Sequence, residues 1–262
     1  VLFRRRRDDT SPMIRADRLI KRFAGHLAVD EVSFQVERGE VVAFLGPNGA
    51  GKSTTMRMLA GCLEPDSGQA LIADYDCHLN RRTAQSHLGY LPEGAPAYPS
   101  MTARGFVRFG LRARGYSGAN LDEATRVALD RARLGAMADK PIGALSKGYK
   151  RRAALAAAIA HDPPVLILDE PTDGLDPNQK DGVRALISEM APKKAILIST
   201  HLLDEVEAMC SRAVVIADGR IKMDGTPAEV ARMAGGSLES AFRVLTRPLA
   251  DPVISDVAEP RS

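Results

Sequence analysis

The chain has 262 residues, enough to bury a substantial core and to form one large or two small domains. Its 45% hydrophobic and 26% charged content is ordinary for a soluble globular protein, and no run of about 18 or more apolar residues could cross a bilayer, so any membrane role must come through a partner. The net charge of +3 is small and gives no expectation of a nucleic-acid partner.

At the start, Arg4 to Arg7 beside Asp8 and Asp9 could touch phosphates or lipid head groups, but reads as a solvated, frayed end. No apolar segment of a secretory signal follows it, and residues 1–12 are expected to be a disordered extension or an upstream start. Met13 to Phe23 and Val32 to Val36 alternate apolar and polar residues as strands do, and Glu37-Arg38-Gly39-Glu40 is a turn into the apolar run Val41 to Leu45. The spacing from Thr54 to Leu63 predicts a helix. Pro65 to Gly68 predicts a turn and Gln69 to Ile72 a strand, followed by a polar stretch to residue 87; the apolar run from Leu88 ends at Pro92.

From about residue 101 to 161 the texture turns to Ala, Arg and Leu at helical spacing, which predicts a helical insertion. Asn120-Leu121-Asp122-Glu123 looks like a helix start, Ser146 is a candidate N-cap before Arg151 to Ala160, and Pro163-Pro164 stops that helix. Val165 to Leu168 is a fully apolar strand. Helical segments at 183–190 and 202–209 then alternate with strands at 195–199, 213–217 and 221–223, and the tail from residue 235 carries one apolar patch at 238–245. No internal repeat is visible. The simplest organisation is a single domain over 13–234 with an N-terminal β part and an inserted helical part, followed by a tail over 235–262.

Gly46-Pro47-Asn48-Gly49-Ala50-Gly51-Lys52-Ser53-Thr54 fits the phosphate-binding loop pattern in full, in the context strand, loop, helix. Gly46, Gly49 and Gly51 let the backbone turn its N–H groups inward, so that the loop and the following helix N-terminus form an anion cradle. Lys52 adds a cation for the β- and γ-phosphates, and Ser53 a hydroxyl for Mg²⁺. The bland alternative is a Gly-rich turn before a helix that happens to carry Lys. Val165 to Leu168 leads into Asp169 and Glu170, two adjacent carboxylates at the end of a buried strand. Asp169 can hold Mg²⁺ through water and Glu170 can accept a proton from a water attacking the γ-phosphate; a strand end meeting solvent is the alternative. Cys62, Cys77 and Cys210 lack C-x-x-C spacing and the histidines at 26, 78, 87, 161 and 201 are scattered, which argues for a reducing compartment without a disulfide framework or zinc site.

With Leu145-Ser146-Lys147-Gly148-Tyr149 and Asp169-Glu170-Pro171-Thr172-Asp173-Gly174-Leu175-Asp176-Pro177 added to the loop, in that order, the chain resembles the ATPase subunit of an ATP-binding-cassette (ABC) transporter over about residues 13–234. The resemblance implies an α/β fold: a P-loop NTPase core with a mixed central sheet, an N-terminal antiparallel β-subdomain and an inserted α-helical subdomain. It implies that Ser146 and Gly148 belong to a signature motif that meets the γ-phosphate of ATP held by an opposing subunit. Phe23 resembles the aromatic that stacks on adenine, though an edge-strand phenylalanine is an ordinary alternative. Gly174-Leu175-Asp176 matches the loop through which subunits sense each other, although a turn alone could explain it. His201, after Ser199-Thr200, matches a histidine that contacts the γ-phosphate.

Two motifs depart from the family pattern: after Leu91-Pro92, Glu93 stands where glutamine is usual, and the signature reads Ser146-Lys147-Gly148-Tyr149 where Ser-Gly-Gly-Gln is usual. Glu93 can still offer Mg²⁺ an oxygen, but adds charge. This combination resembles bacterial ABC exporters whose ATPase and membrane parts are separate chains, including those associated with gliding motility. The implied function is ATP binding and hydrolysis that closes and reopens a dimer, homo- or heteromeric, driving separate membrane-spanning permease subunits from the cytoplasmic face of the membrane. The alternatives are a soluble ABC-type ATPase acting on ribosomes or DNA, a GTPase-like switch suggested by Asn178-Gln179-Lys180-Asp181 in the wrong order, and a nucleotide-gated scaffold without turnover.

Overall fold

The structure, a computed structural model, describes residues 11–233 and 235–247. The basic cluster at residues 4–7, most of the expected N-terminal extension and the tail beyond 247 lie outside the described residues. Strand β1 (Ile14–Phe23) pairs antiparallel with β2 (His26–Val36) down to Phe23 opposite His26. Ala24 and Gly25 close the hairpin with φ of 45° and 86°, the left-handed pair that a two-residue turn matching strand twist requires. That turn is why β2 begins at His26 instead of Val32: pairing extends through a segment whose own alternation is weak.

Strand β3 (Val41–Leu45), buried at every position, delivers the chain to helix α1 (Lys52–Leu59). The helix ends before Leu63 because Gly61 takes φ 66°, its N–H bonding Met58 O at 3.0 Å and that of Cys62 bonding Arg57 O at 2.9 Å; this is a Schellman stop. Strand β4 (Ser67–Ile72) follows. The polar stretch after it contains β5 (Tyr75–Asp76) and α2 (Arg81–Ser86), elements too short to carry a period, and Asp76 organises their junction by accepting the N–H groups of His78 and Leu79. Strand β6 (Leu88–Leu91) stops at Pro92.

Helices α3 (Ala103–Ala113), α4 (Gly118–Arg131) and α5 (Lys147–Ile159) form a layer with its own core, which includes Val107, Leu111, Leu129 and Ala153. Helix α5 faces two ways, because Leu155 and Ile159 pack instead against the sheet strands. The chain continues through β7 (Val165–Asp169), α6 (Pro177–Met190), β8 (Ala195–Ser199), α7 (Leu203–Met209), β9 (Arg212–Ala217), β10 (Arg220–Gly225), α8 (Pro227–Arg232) and α9 (Leu238–Leu245). The expected apolar patch at 238–245 is α9, which buries Leu238 and Ala241 beneath a Ser237 cap.

Two sheets result. The N-terminal one is antiparallel, in the order β2-β1-β4-β5; the central one runs β10-β9-β3-β8-β7-β6 and is mixed, parallel except where β10 meets β9. The chain therefore has the mixed-sheet P-loop core that its pattern implies, with the antiparallel sheet and α1 on one face. Alternation along each central strand splits the core: Val42, Phe44, Ile167 and Leu197 pack toward the antiparallel sheet, while Ala43, Leu45, Leu168 and Ile198 pack toward α6 and α7. Because β8 lies between β3 and β7 with all three parallel, the loops leaving their carboxyl ends emerge side by side, where open α/β sheets bind ligands.

Candidate nucleotide-binding site

The loop after β3 is shaped by close backbone approach. A Cβ on Gly51 would stand 2.6 Å from the Ala28 carbonyl oxygen, one on Gly46 would meet that of Ile216, and Gly49 and Gly51 take φ of 80° and 103°. Gly51 starts α1 without a side-chain cap, leaving the first-turn N–H groups for a ligand. Lys52, 8% exposed, donates to Gly46 O at 2.6 Å and Pro47 O at 3.0 Å. Burial lowers its pKa, opposed by the charges of Glu170, Asp169 and Glu93. Its ammonium is thus held by neutral carbonyls, in a cradle that a phosphate fits.

Register brings the second half of the site to this cradle. Asp169 pairs with Ser199 across β7 and β8, and the Ser199 hydroxyl donates to the buried Asp169 carboxylate. Glu170 leaves β7 with φ 52°, a left-handed conformation costly for a non-glycine residue, and its N–H bonds Ser199 Oγ at 3.1 Å. The Glu170 carboxylate accepts from Nδ1 of His201 at 2.9 Å. Glu93, beyond Pro92, places Oε2 3.5 Å from Ser53 Oγ. A cavity of about 260 Å³ is lined by Asn48, Gly49, Gly51, Lys52, Ser53, Thr54, Glu93, Asp169 and Glu170, together with Ala28.

The other expected site residues stand elsewhere. Phe23 is 45% exposed at the hairpin end, with Lys21 Nζ 5.8 Å from its ring centroid, and does not line the cavity. Ser146 caps α5, accepting the Tyr149 N–H at 3.4 Å, and Gly148 packs against Leu175 and Gln179 so tightly that a Cβ would displace them. Asp176 caps α6 by accepting the Gln179 N–H at 2.9 Å. Pro47 and Ala50 shape the loop from outside the cavity lining, and His201 reaches the site only through Glu170.

Ala28, Ser199 and Arg151 are site features that sequence reasoning missed. Arg151, 2% exposed, donates to Asp169 O at 3.2 Å and Asp173 Oδ2 at 3.3 Å, and Lys147 Nζ lies 2.8 Å from the same Asp173. The hydrogen bond from Lys147 is the main cause that holds the Asp173 carboxyl below the usual carboxylate range. Among the described residues no three of His, Cys, Asp and Glu cluster as a metal site. The oxygens of Ser53, Glu93 and Asp169 line the cavity beside the phosphate cradle, a donor set that suits a Mg²⁺ completed by substrate phosphates and water.

A family profile described as "ABC transporter" matches residues 29–173. An uncharacterized ABC transporter ATP-binding protein of Bacillus subtilis (strain 168) is 40% identical over 213 residues, 81% of this chain and 70% of its own. The Nod factor export ATP-binding protein I of Ralstonia nicotianae is 35% identical over 254 residues, 93% of this chain and 79% of its own. Some relatives are longer, and the chain spans 37% of one of them. A solved structure of the ATP-binding subunit of an ABC transporter superposes with a TM-score of 0.82 at 31% identity, covering 89% of this chain and 99% of that one. With its loop, strand-end carboxylates and fold in agreement with these relatives, the chain belongs to the ABC transporter family as an ATP-binding subunit with that family's ATP hydrolase activity.

Proposed function

We propose that this chain powers an exporter by ATP-dependent dimer closure, each complete site being built from the cavity of one subunit and the Ser146–Gly148 face of another. One observation carries the reading: Lys52, Ser53, Asp169 and Glu170 converge on one cavity, while Ser146 and Gly148, at the helix start that resembles the family's signature motif, do not line it. The loop from Gly46 to Thr54 and Lys52 bind the β- and γ-phosphates; Phe23 stacks on adenine; Asp176 lies in the loop that meets the second subunit. Ser53, Glu93 and Asp169 would hold Mg²⁺, which when bound would neutralise charge on the phosphates. Glu170 takes a proton from the attacking water, and His201, hydrogen-bonded to it, completes the γ-phosphate contact.

On this reading the membrane-spanning part is a separate permease subunit; among the described residues no helix is long and apolar enough to cross a membrane. A groove of about 340 Å³ beside α3, lined by Leu88, Tyr90, Pro92, Phe106 and Phe109, suits its docking at the cytoplasmic face, next to the Glu93 loop. The proposed domain organisation is an ATPase domain over 13–234 with its helical insertion at about 101–161 and a tail over 235–262. The test is Glu170→Gln: hydrolysis is lost while ATP still drives dimerisation, read by light scattering. An unchanged steady-state rate would remove Glu170 from the base role.

A further inference from the structure

Glu205, in the first turn of α7, has no exposed surface, and a buried carboxylate is retained only where its oxygens are satisfied. Each of them accepts a threonine hydroxyl: Oε1 from Thr172 Oγ1 at 2.5 Å and Oε2 from Thr200 Oγ1 at 3.0 Å. Both threonines are buried, at 1% and 0% exposure. Thr172 lies just beyond Glu170 on the loop after β7, and Thr200 immediately precedes His201 on the loop after β8. Thr200 Oγ1 also accepts the N–H of Leu202 at 3.1 Å, which fixes its hydroxyl proton toward Glu205. Arg184 of α6 supplies a cation 3.7 Å from Oε1 and is itself anchored to Asp204 at 2.6 Å.

We infer that Glu205 is a positioning residue, a buried carboxylate that clamps the loop carrying Glu170 to the loop carrying His201. The strand register ends at Asp169 and Ser199, so beyond that rung the ladder no longer fixes the two loops. The Ser199 hydroxyl ties them at the root; Glu205 ties them further out, past the left-handed Glu170. A left-handed non-glycine persists only where its surroundings over-determine it, and the clamp supplies that determination. An apolar residue at 205 would leave two buried hydroxyls without acceptors, whereas a carboxylate accepts from both.

The inference rests on the reading of Glu170 and His201 as the hydrolytic pair, and the experiment separates the two. Steady-state ATP hydrolysis and ATP binding are measured on the full chain carrying Thr172→Val, Thr172→Ser, Glu205→Ala, Thr172→Val with Glu205→Ala, or Glu170→Gln. Thr172→Val and Glu205→Ala are expected to lower kcat by between about tenfold and about a hundredfold, the worth of a hydrogen bond to a charged group, with KM and ATP affinity within about twofold. Thr172→Ser, which keeps the hydroxyl, retains the rate, and the double variant is no worse than Glu205→Ala alone. If Glu205→Ala does not fold, the Thr172→Val and Thr172→Ser pair decides by itself. A native rate in Thr172→Val, an equal loss in Thr172→Ser, or a raised KM at unchanged kcat overturns the clamp. A parent-like rate in Glu170→Gln overturns the underlying hydrolytic reading instead; a strongly impaired Glu170→Gln beside an unimpaired Thr172→Val overturns the clamp alone.

Discussion

The cavity at the strand ends and the face formed by the starts of α5 and α6 are both made of helix N-termini, yet they are finished differently. At α1 the residue before the helix is Gly51, which has no side chain to cap it, and the nearby Lys52 is held by backbone carbonyls. At α5 and α6 the corresponding residues are Ser146 and Asp176, whose side chains take the N–H groups of Tyr149 and Gln179. The first arrangement presents uncapped backbone donors and a buried cation to the cavity. The second is self-satisfied within the chain, and Lys147 is likewise neutralised by Asp173. On the proposed reading, the cavity binds phosphate by itself, whereas the other face would have to exchange internal partners for external ones.

The largest effect that would sharpen this contrast comes from Glu170→Gln, expected to lower kcat by about 10²- to 10⁴-fold, the range of a lost general base, with ATP affinity retained in a binding titration. Lys52→Ala comes next. Removing the cavity's cation should weaken ATP binding by about ten- to a hundredfold, the worth of a charge-assisted hydrogen bond, and calorimetric titration checks it. A variant that binds ATP as tightly as the parent would break the claim that the cavity binds phosphate through this residue.

A pH effect tests the end of α5 away from both regions, where His161, just beyond the helix, contacts Leu88 O of β6 at 3.2 Å. Burial pushes its pKa down to about 4, with the Arg114 charge adding to the shift. The unfolded chain takes the proton first, near the ordinary value of about 6.5, so the folded state loses stability as pH falls from there toward 4. The loss from this group reaches about 2 kcal/mol by pH 5, at about 1.4 kcal/mol per pKa unit. Thermal unfolding of the parent and His161→Gln between pH 7 and pH 5 should converge as pH falls; parallel curves would contradict it.

The smallest effect is Ser146→Ala. Loss of the cap is expected to cost about 1 kcal/mol in unfolding free energy and to leave ATP binding by the isolated chain unchanged, while hydrolysis that depends on a second chain falls. Weakened ATP binding by the monomer would place Ser146 in the cavity's own chemistry and erase the distinction between the two faces.

Much of this is legible in the amino-acid sequence, for reasons that differ by element. The loop, β7 and β8 were readable because a buried strand is a short apolar run and the glycine spacing is local; Ala195 to Ser199 is β8 to the residue. The start of α6 was also written locally, as Asp176 followed by Pro177 at the first helical position, but the apolar pattern alone begins at Val183 and understated it. Short elements such as β5 and α2 were invisible to periodicity, because their stability comes from neighbours.

The sequence by itself determined which residues could hold phosphate and in what order the motifs come, since loop shape, strand burial and helix starts depend on residues near one another in the chain. Only the tertiary structure decided how those groups are held. Parallel register sets Asp169 against Ser199, Arg151 reaches the Asp169 carbonyl from α5, and Glu205 gathers Thr172 and Thr200 from two loops. Each of these depends on strands adjacent in space and separated in sequence, and no local pattern encodes which buried hydroxyl will meet which buried carboxylate. The same holds for what the chain leaves open: the cavity and the Ser146 face are separate in one subunit because α1 and α5 are placed by different layers of the fold.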